Sequence, residues 1–172
     1  TIYGTGELLN IDGGEGSDYL YLYGYIDTES NRSYLEEGEA NVYGGSGSDY
    51  VEIQYYQDIY ADLGIDNDYL NMSSSVRTAE IYGGEGEDNL NASGYGLVYE
   101  VYGGLGNDYI YTNSNGLSFA DGGEGEDRMY MYVSNSNYDR ENDPLGLDTN
   151  NNGFFYDETI SYQAVGGAGN DD

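Results

Sequence analysis

A nine-residue pattern, Gly-Gly-x-Gly-x-Asp-x-U-x with U a large aliphatic residue, returns down this chain and limits what it can fold into. It reads GGEGSDYLY from Gly13, GGSGSDYVE from Gly44, GGEGEDNLN from Gly83, GGLGNDYIY from Gly103 and GGEGEDRMY from Gly122, with a shortened GGAGNDD from Gly166. A degenerate copy, Leu63-Gly64-Ile65-Asp66-Asn67-Asp68-Tyr69-Leu70, puts Leu63 and Asp66 in two glycine slots. From the first slot of one copy to the next the steps are 31, 19, 20, 20, 19 and 44 residues. A recurring step of 19 or 20 is one turn of a stacked coil, because a unit this small buries its apolar face only against its neighbours.

Columns read down that register alternate in polarity. Seven residues past the first slot stand Leu20, Val51, Leu70, Leu90, Ile110 and Met129, and two further on Leu22, Ile53, Met72, Ala92, Thr112 and Met131. Two before it lie Ile11, Val42, Ala61, Ile81, Val101, Ala120 and Ala164. Apolar positions at every second residue are the pattern of strands with one buried face. The fold expected is all-β: a right-handed parallel β-roll or β-helix solenoid of 1–172 with about 19–20 residues per turn. The long steps place excursions near 28–38 and 134–158, the second holding either one turn plus an insertion or two turns.

The loop chemistry points to a hard cation. Glycines turn the backbone tightly at positive φ and leave its carbonyls exposed, and the Asp adds an anionic oxygen beside them. Ca2+ takes six to eight oxygens at about 2.3–2.6 Å, more than one such loop supplies. The pattern is the signature of calcium-binding parallel β-helices, and the chain resembles the RTX (repeats-in-toxin) proteins secreted by bacteria. The resemblance implies several Ca2+ ions between successive turns. It carries over Asp18, Asp49, Asp68, Asp88, Asp108, Asp127 and Asp171 as ligands, with loop glycines Gly14, Gly16, Gly45, Gly47, Gly84, Gly86, Gly104, Gly106, Gly123, Gly125, Gly167 and Gly169. The other half of each turn has no Asp in register, so the calcium column is expected along one edge. That one-sidedness is similar to the 19-residue repeats of large bacterial adhesins. Asp148-Thr149-Asn150-Asn151-Asn152-Gly153 resembles the start of an EF-hand loop, but Thr159 stands where its closing Glu belongs, so the reading is an acidic Asn-rich loop, with a separate calcium site as the alternative.

Charge and composition agree. The net charge is −29, from 33 acidic residues against four arginines and no lysine. Such a chain repels itself and sits near the disordered regime until cations arrive. Nucleic-acid binding is excluded by the same charge, and no stretch is apolar enough to insert into a membrane as a helix. Without cysteine there are no disulfides. Without histidine, cysteine or lysine the common catalytic nucleophiles and bases are missing, so no enzyme is expected. The RTX resemblance implies type I secretion and folding in extracellular calcium.

Tyrosine supplies 23 residues, against three Phe and no Trp. Tyr19, Tyr50, Tyr69 and Tyr109 share one outward column, as do Tyr43, Tyr82 and Tyr102. Strand propensity, sugar stacking and lateral packing between fibres all fit such columns. Asn31, Asn71 and Asn91 open Asn-x-Ser patterns that leave glycan attachment open. The expected role is a calcium-dependent structural segment of a bacterial surface adhesin or filament, associating head to tail or repeated in tandem. The end of the chain joined to its beginning gives one more turn of 19 residues. The alternatives are an accessory module of a secreted enzyme or toxin, or a carbohydrate-binding module using the tyrosines.

Overall fold

Short apolar alternations punctuated by glycine loops form strands that hydrogen-bond only to the same strand one turn away. In the computed structural model, described over residues 1–5, 8–24, 38–73, 76–94, 98–114, 117–133 and 162–165, fourteen strands make two seven-stranded parallel sheets. One sheet holds the odd strands β1 (Ile2–Thr5), β3 (Tyr19–Tyr23), β5 (Tyr50–Gln54), β7 (Tyr69–Ser73), β9 (Asn89–Ser93), β11 (Tyr109–Ser114) and β13 (Arg128–Val133). The other holds the even strands β2 (Leu8–Glu15), β4 (Glu39–Ser46), β6 (Asp58–Ile65), β8 (Thr78–Glu85), β10 (Val98–Leu105), β12 (Leu117–Glu124) and β14 (Tyr162–Val165). Each turn runs through an even strand, a glycine–aspartate loop and an odd strand, so the loops stack along one edge of a β-solenoid. There is no helix among the described residues.

The register is the one expected from the repeat. Leu20, Val51, Leu70, Leu90, Ile110 and Met129 are successive partners across the odd sheet. Ile11, Val42, Ala61, Ile81, Val101, Ala120 and Ala164 are successive partners across the even sheet. Both long steps are single turns with an insertion, because β4 follows directly on β2 and β14 on β12. The expected excursions near 28–38 and 134–158, the Asp148–Gly153 run, Asn31, and the last loop with Gly167, Gly169 and Asp171 lie outside the described residues, save Gly38, which is buried ahead of β4.

The core between the sheets is a narrow file of aliphatic side chains, one layer per turn. Two tyrosines join it: Tyr56, at the edge opposite the loops, and Tyr99, both fully buried. Tyr99 fits because its partners on the flanking turns are small, Ala79 on one side and Ser118 on the other. Near this end the interior turns polar, with the Ser118 hydroxyl donating to Thr112 Oγ1 at 3.2 Å.

Stacking makes the second glycine indispensable in every described loop after the first. Gly104 has φ 115°, and a Cβ there would lie 2.1 Å from the carbonyl oxygen of Gly84 on the preceding turn. Gly14 has φ 86° but nothing within 4 Å of the same position. Gly14→Ala should therefore cost only the left-handed conformational penalty of about 1–2 kcal/mol. Gly104→Ala adds a backbone collision and should lower the melting temperature, measured in calcium, far more. Equal melting temperatures for the two variants would contradict the stacking.

Candidate metal centre

The loop aspartates form an inter-turn ladder. The carboxylate of Asp49 accepts the backbone N–H of Asp18 at 2.7 Å, and Asp68 accepts that of Asp49 at 2.7 Å. Asp88 accepts the N–H of Asp68, Asp108 that of Asp88, and Asp127 that of Asp108, each at 2.8 Å. In every case Oδ1 reaches back one turn. The column of ligand candidates is thereby brought together, with Asp49, Asp68, Asp88, Asp108 and Asp127 all buried and Asp18, in the first loop, partly exposed.

The other oxygen of these carboxylates is the chemically telling one. Oδ2 of Asp49, Asp68, Asp88 and Asp108 is buried without a hydrogen-bond partner. For Asp49, Asp88 and Asp108 it lies over the first glycine of its own loop, beside a carbonyl of the following turn, while the Asp68 loop has Leu63 in that slot. A Cβ built on Gly103 would stand 2.3 Å from Asp108 Oδ2 and 2.4 Å from the Gly122 carbonyl oxygen. On Gly83 the corresponding distances are 2.4 Å to Asp88 Oδ2 and 2.5 Å to the Gly103 oxygen, and on Gly44 they are 2.7 Å to Asp49 Oδ2 and 2.3 Å to the Leu63 oxygen. Two acceptors converging on one point with no donor from the protein call for a proton, a water molecule or a cation. Burial without pairing is otherwise costly.

Burial pushes these carboxyls up: Asp68 to about 8, Asp108 to about 7 and Asp88 to about 6, with Asp49 raised as well. Loss of hydration is the largest cause throughout, opposed by the hydrogen bond from the preceding turn's N–H. Neighbouring acids add to it, Asp88, Asp49 and Asp66 around Asp68, and Asp88, Asp127 and Glu87 around Asp108.

The donor set suits a hard ion whose shell is mostly backbone. Among the described residues no three carboxylates converge as a metal cluster, so an ion here would draw one or two carboxylates and complete its shell with loop carbonyls. That is an oxygen-only, hard-cation set and fits Ca2+. The loop glycines predicted as part of the site, from Gly14 and Gly16 to Gly123 and Gly125, all take positive φ. Asp66 takes the degenerate glycine slot at φ 77°, a conformation Asp tolerates better than most residues. Its carboxylate accepts the Gly47 N–H at 3.1 Å, an inter-turn bond the sequence pattern does not signal.

Comparison with protein-family models, with curated proteins and with solved structures finds no match.

Proposed function

We propose that this chain is a calcium-folded structural segment of a bacterial extracellular adhesin or filament of the RTX kind. The observation that carries the reading is the file of buried carboxylate oxygens without a hydrogen-bond donor, Asp49, Asp68, Asp88 and Asp108, of which those of Asp49, Asp88 and Asp108 lie beside a carbonyl of the following turn. Asp18 and Asp127 extend the same column. Ca2+ ions shared between turns would cancel their charge and tie each turn to the next. The residues left over for other chemistry argue for a scaffold: the described surface is rich in acids, amides, hydroxyls and tyrosines, and there is no histidine, cysteine or lysine anywhere in the chain. A parallel coil of this kind grows by adding turns at its ends, so joining units head to tail or in tandem extends it without a new interface design.

A calcium titration followed by circular dichroism tests the ligand assignment. Asp88→Asn keeps an oxygen that can accept the Asp68 N–H but removes the charge. It should raise the calcium midpoint about tenfold or more, since a hydrogen bond or ligand involving a charged group is worth about 1.5–3 kcal/mol. Glu80→Gln, on the outer face of the even sheet, should leave the midpoint where it is. If the two variants titrate alike, or if Asp88→Asn is neutral while Asp88→Ala is not, the aspartate ladder is hydrogen-bonding structure and the calcium reading fails.

A further inference from the structure

The tyrosines of the even sheet form a continuous aromatic strip along the coil axis. Tyr43, Tyr60, Tyr82, Tyr102 and Phe119 follow one another turn by turn with ring centroids 5.8, 5.9, 4.9 and 5.5 Å apart. The strip zigzags between two outward columns instead of keeping to one, because Tyr60 and Phe119 sit two residues earlier in their strands than Tyr43, Tyr82 and Tyr102. Carboxylates line it. The Tyr82 hydroxyl donates to Glu80, and the Tyr102 hydroxyl donates to Glu100 at 3.2 Å. A groove of about 300 Å³ opens beside the Tyr60 ring, lined also by Glu39, Asp58, Glu80 and Glu100. Its rim already holds one cation of the chain itself, the Arg77 guanidinium, which donates to both oxygens of Asp58.

We propose that this face binds an extended cationic polysaccharide, a β-linked chain of amine-bearing pyranose rings. Charge selects the sign of the ligand. Acids beside aromatic faces hold ammonium groups through ion pairing and cation–π attraction, whereas an anionic polymer or a second copy of this chain, at −29, is repelled. Spacing selects the polymer. The strip offers one ring per turn at the ~4.8 Å strand repeat, close to the length of one pyranose unit in an extended β-linked chain. Successive sugars can therefore lie in step along the outer edges of Tyr82 and Tyr102, which stack on each other at 8°, and on the tilted rings of Tyr60 and Phe119. An extended basic peptide presents side chains on one face only every ~6.6 Å, twice the ~3.3 Å strand rise, and falls out of step within two turns.

Isothermal titration calorimetry in calcium-saturated, mildly acidic buffer tests this, with circular dichroism showing each variant folded. A chitosan oligomer should bind about tenfold or more tighter than a fully N-acetylated chitin oligomer of equal length. Tyr82→Ala with Tyr102→Ala should weaken both, while Glu80→Gln with Glu100→Gln should erase the preference for the amine. Tyr21→Ala with Tyr69→Ala, on the opposite sheet, should change neither. Polylysine binding as tightly as chitosan and insensitive to Tyr82 and Tyr102 would overturn the proposal in favour of diffuse attraction to an acidic chain. So would equal losses from the two tyrosine pairs, or no binding at all. The inference needs the coil and not the ion, so a coil that forms without calcium would sink the folding reading while leaving this assay intact.

Discussion

In chelator above about pH 8 the β-sheet circular dichroism of this chain should collapse, and millimolar Ca2+ should restore it in a cooperative transition that Mg2+ reproduces poorly. Asp49, Asp68, Asp88, Asp108 and Asp127 stand on successive turns. The strand repeat sets neighbours ~4.8 Å apart along the axis. At an effective dielectric near 20, each neighbouring pair of unit charges at that separation repels by about 3 kcal/mol. Four such steps rival the whole stability of an ordinary domain, about 5–15 kcal/mol. The core opposing them is one aliphatic layer per turn, so metal-free carboxylates cannot be held together once they ionise. Ions bridging the turns remove the repulsion and add attraction. The transition is cooperative because an ion at one junction orders the turns on both sides. Mg2+ demands a small octahedral shell and dehydrates reluctantly, so a groove of backbone carbonyls serves it badly. Retention of the full β signal in chelator above about pH 8, where protons no longer neutralise the column, would show that packing alone closes the coil.

How far the sequence reaches can be judged column by column. The glycine landmarks fix the turn length, and the alternation around them fixes the register, so partners such as Leu70 with Leu90 or Val42 with Ala61 are legible without coordinates. Tyr99 shows where that reading stops. Its place in an inward column, between Ala79 and Ser118, was there to be read, but the abundance of outward tyrosines pointed the other way. Tyr56 lies at the edge without loops, where no landmark repeats, and nothing in the pattern signals its burial. The aspartates were legible as a column. Their Oδ1 bonds to the preceding turn and the orphaned Oδ2 were not, because both depend on how the turns overlap in three dimensions. The aromatic strip falls between these cases: its residues are visible in sequence, while the zigzag that links Tyr43 to Tyr60 and Tyr82 needs the packing of ring on ring.

Acid should substitute for calcium. Asp68, Asp108 and Asp88 have folded-state values near 8, 7 and 6, against about 3.9 for an unperturbed Asp. A carboxyl whose value is raised on folding binds its proton more tightly in the coil than in the open chain. Its stabilising contribution is therefore complete below the ordinary Asp value and is lost as pH rises through the folded value. In chelator the β signal should accordingly survive near pH 4 and fall across roughly pH 6 to 8 as Asp88, Asp108 and Asp68 ionise in the dry column. With calcium saturating, the dependence reverses in origin: the ion takes the place of those protons, and the coil should persist at pH 8. Between these limits the two ligands compete, so the calcium midpoint should rise as pH is lowered from 8 to 6, and calcium binding to the folded coil should release protons. Calorimetry in buffers of different ionisation enthalpy measures that release. Asp88→Asn, which has no proton to give at this position, should release fewer. A calcium midpoint that does not move between pH 6 and 8 would mean that the buried carboxyls and the calcium sites are not the same groups.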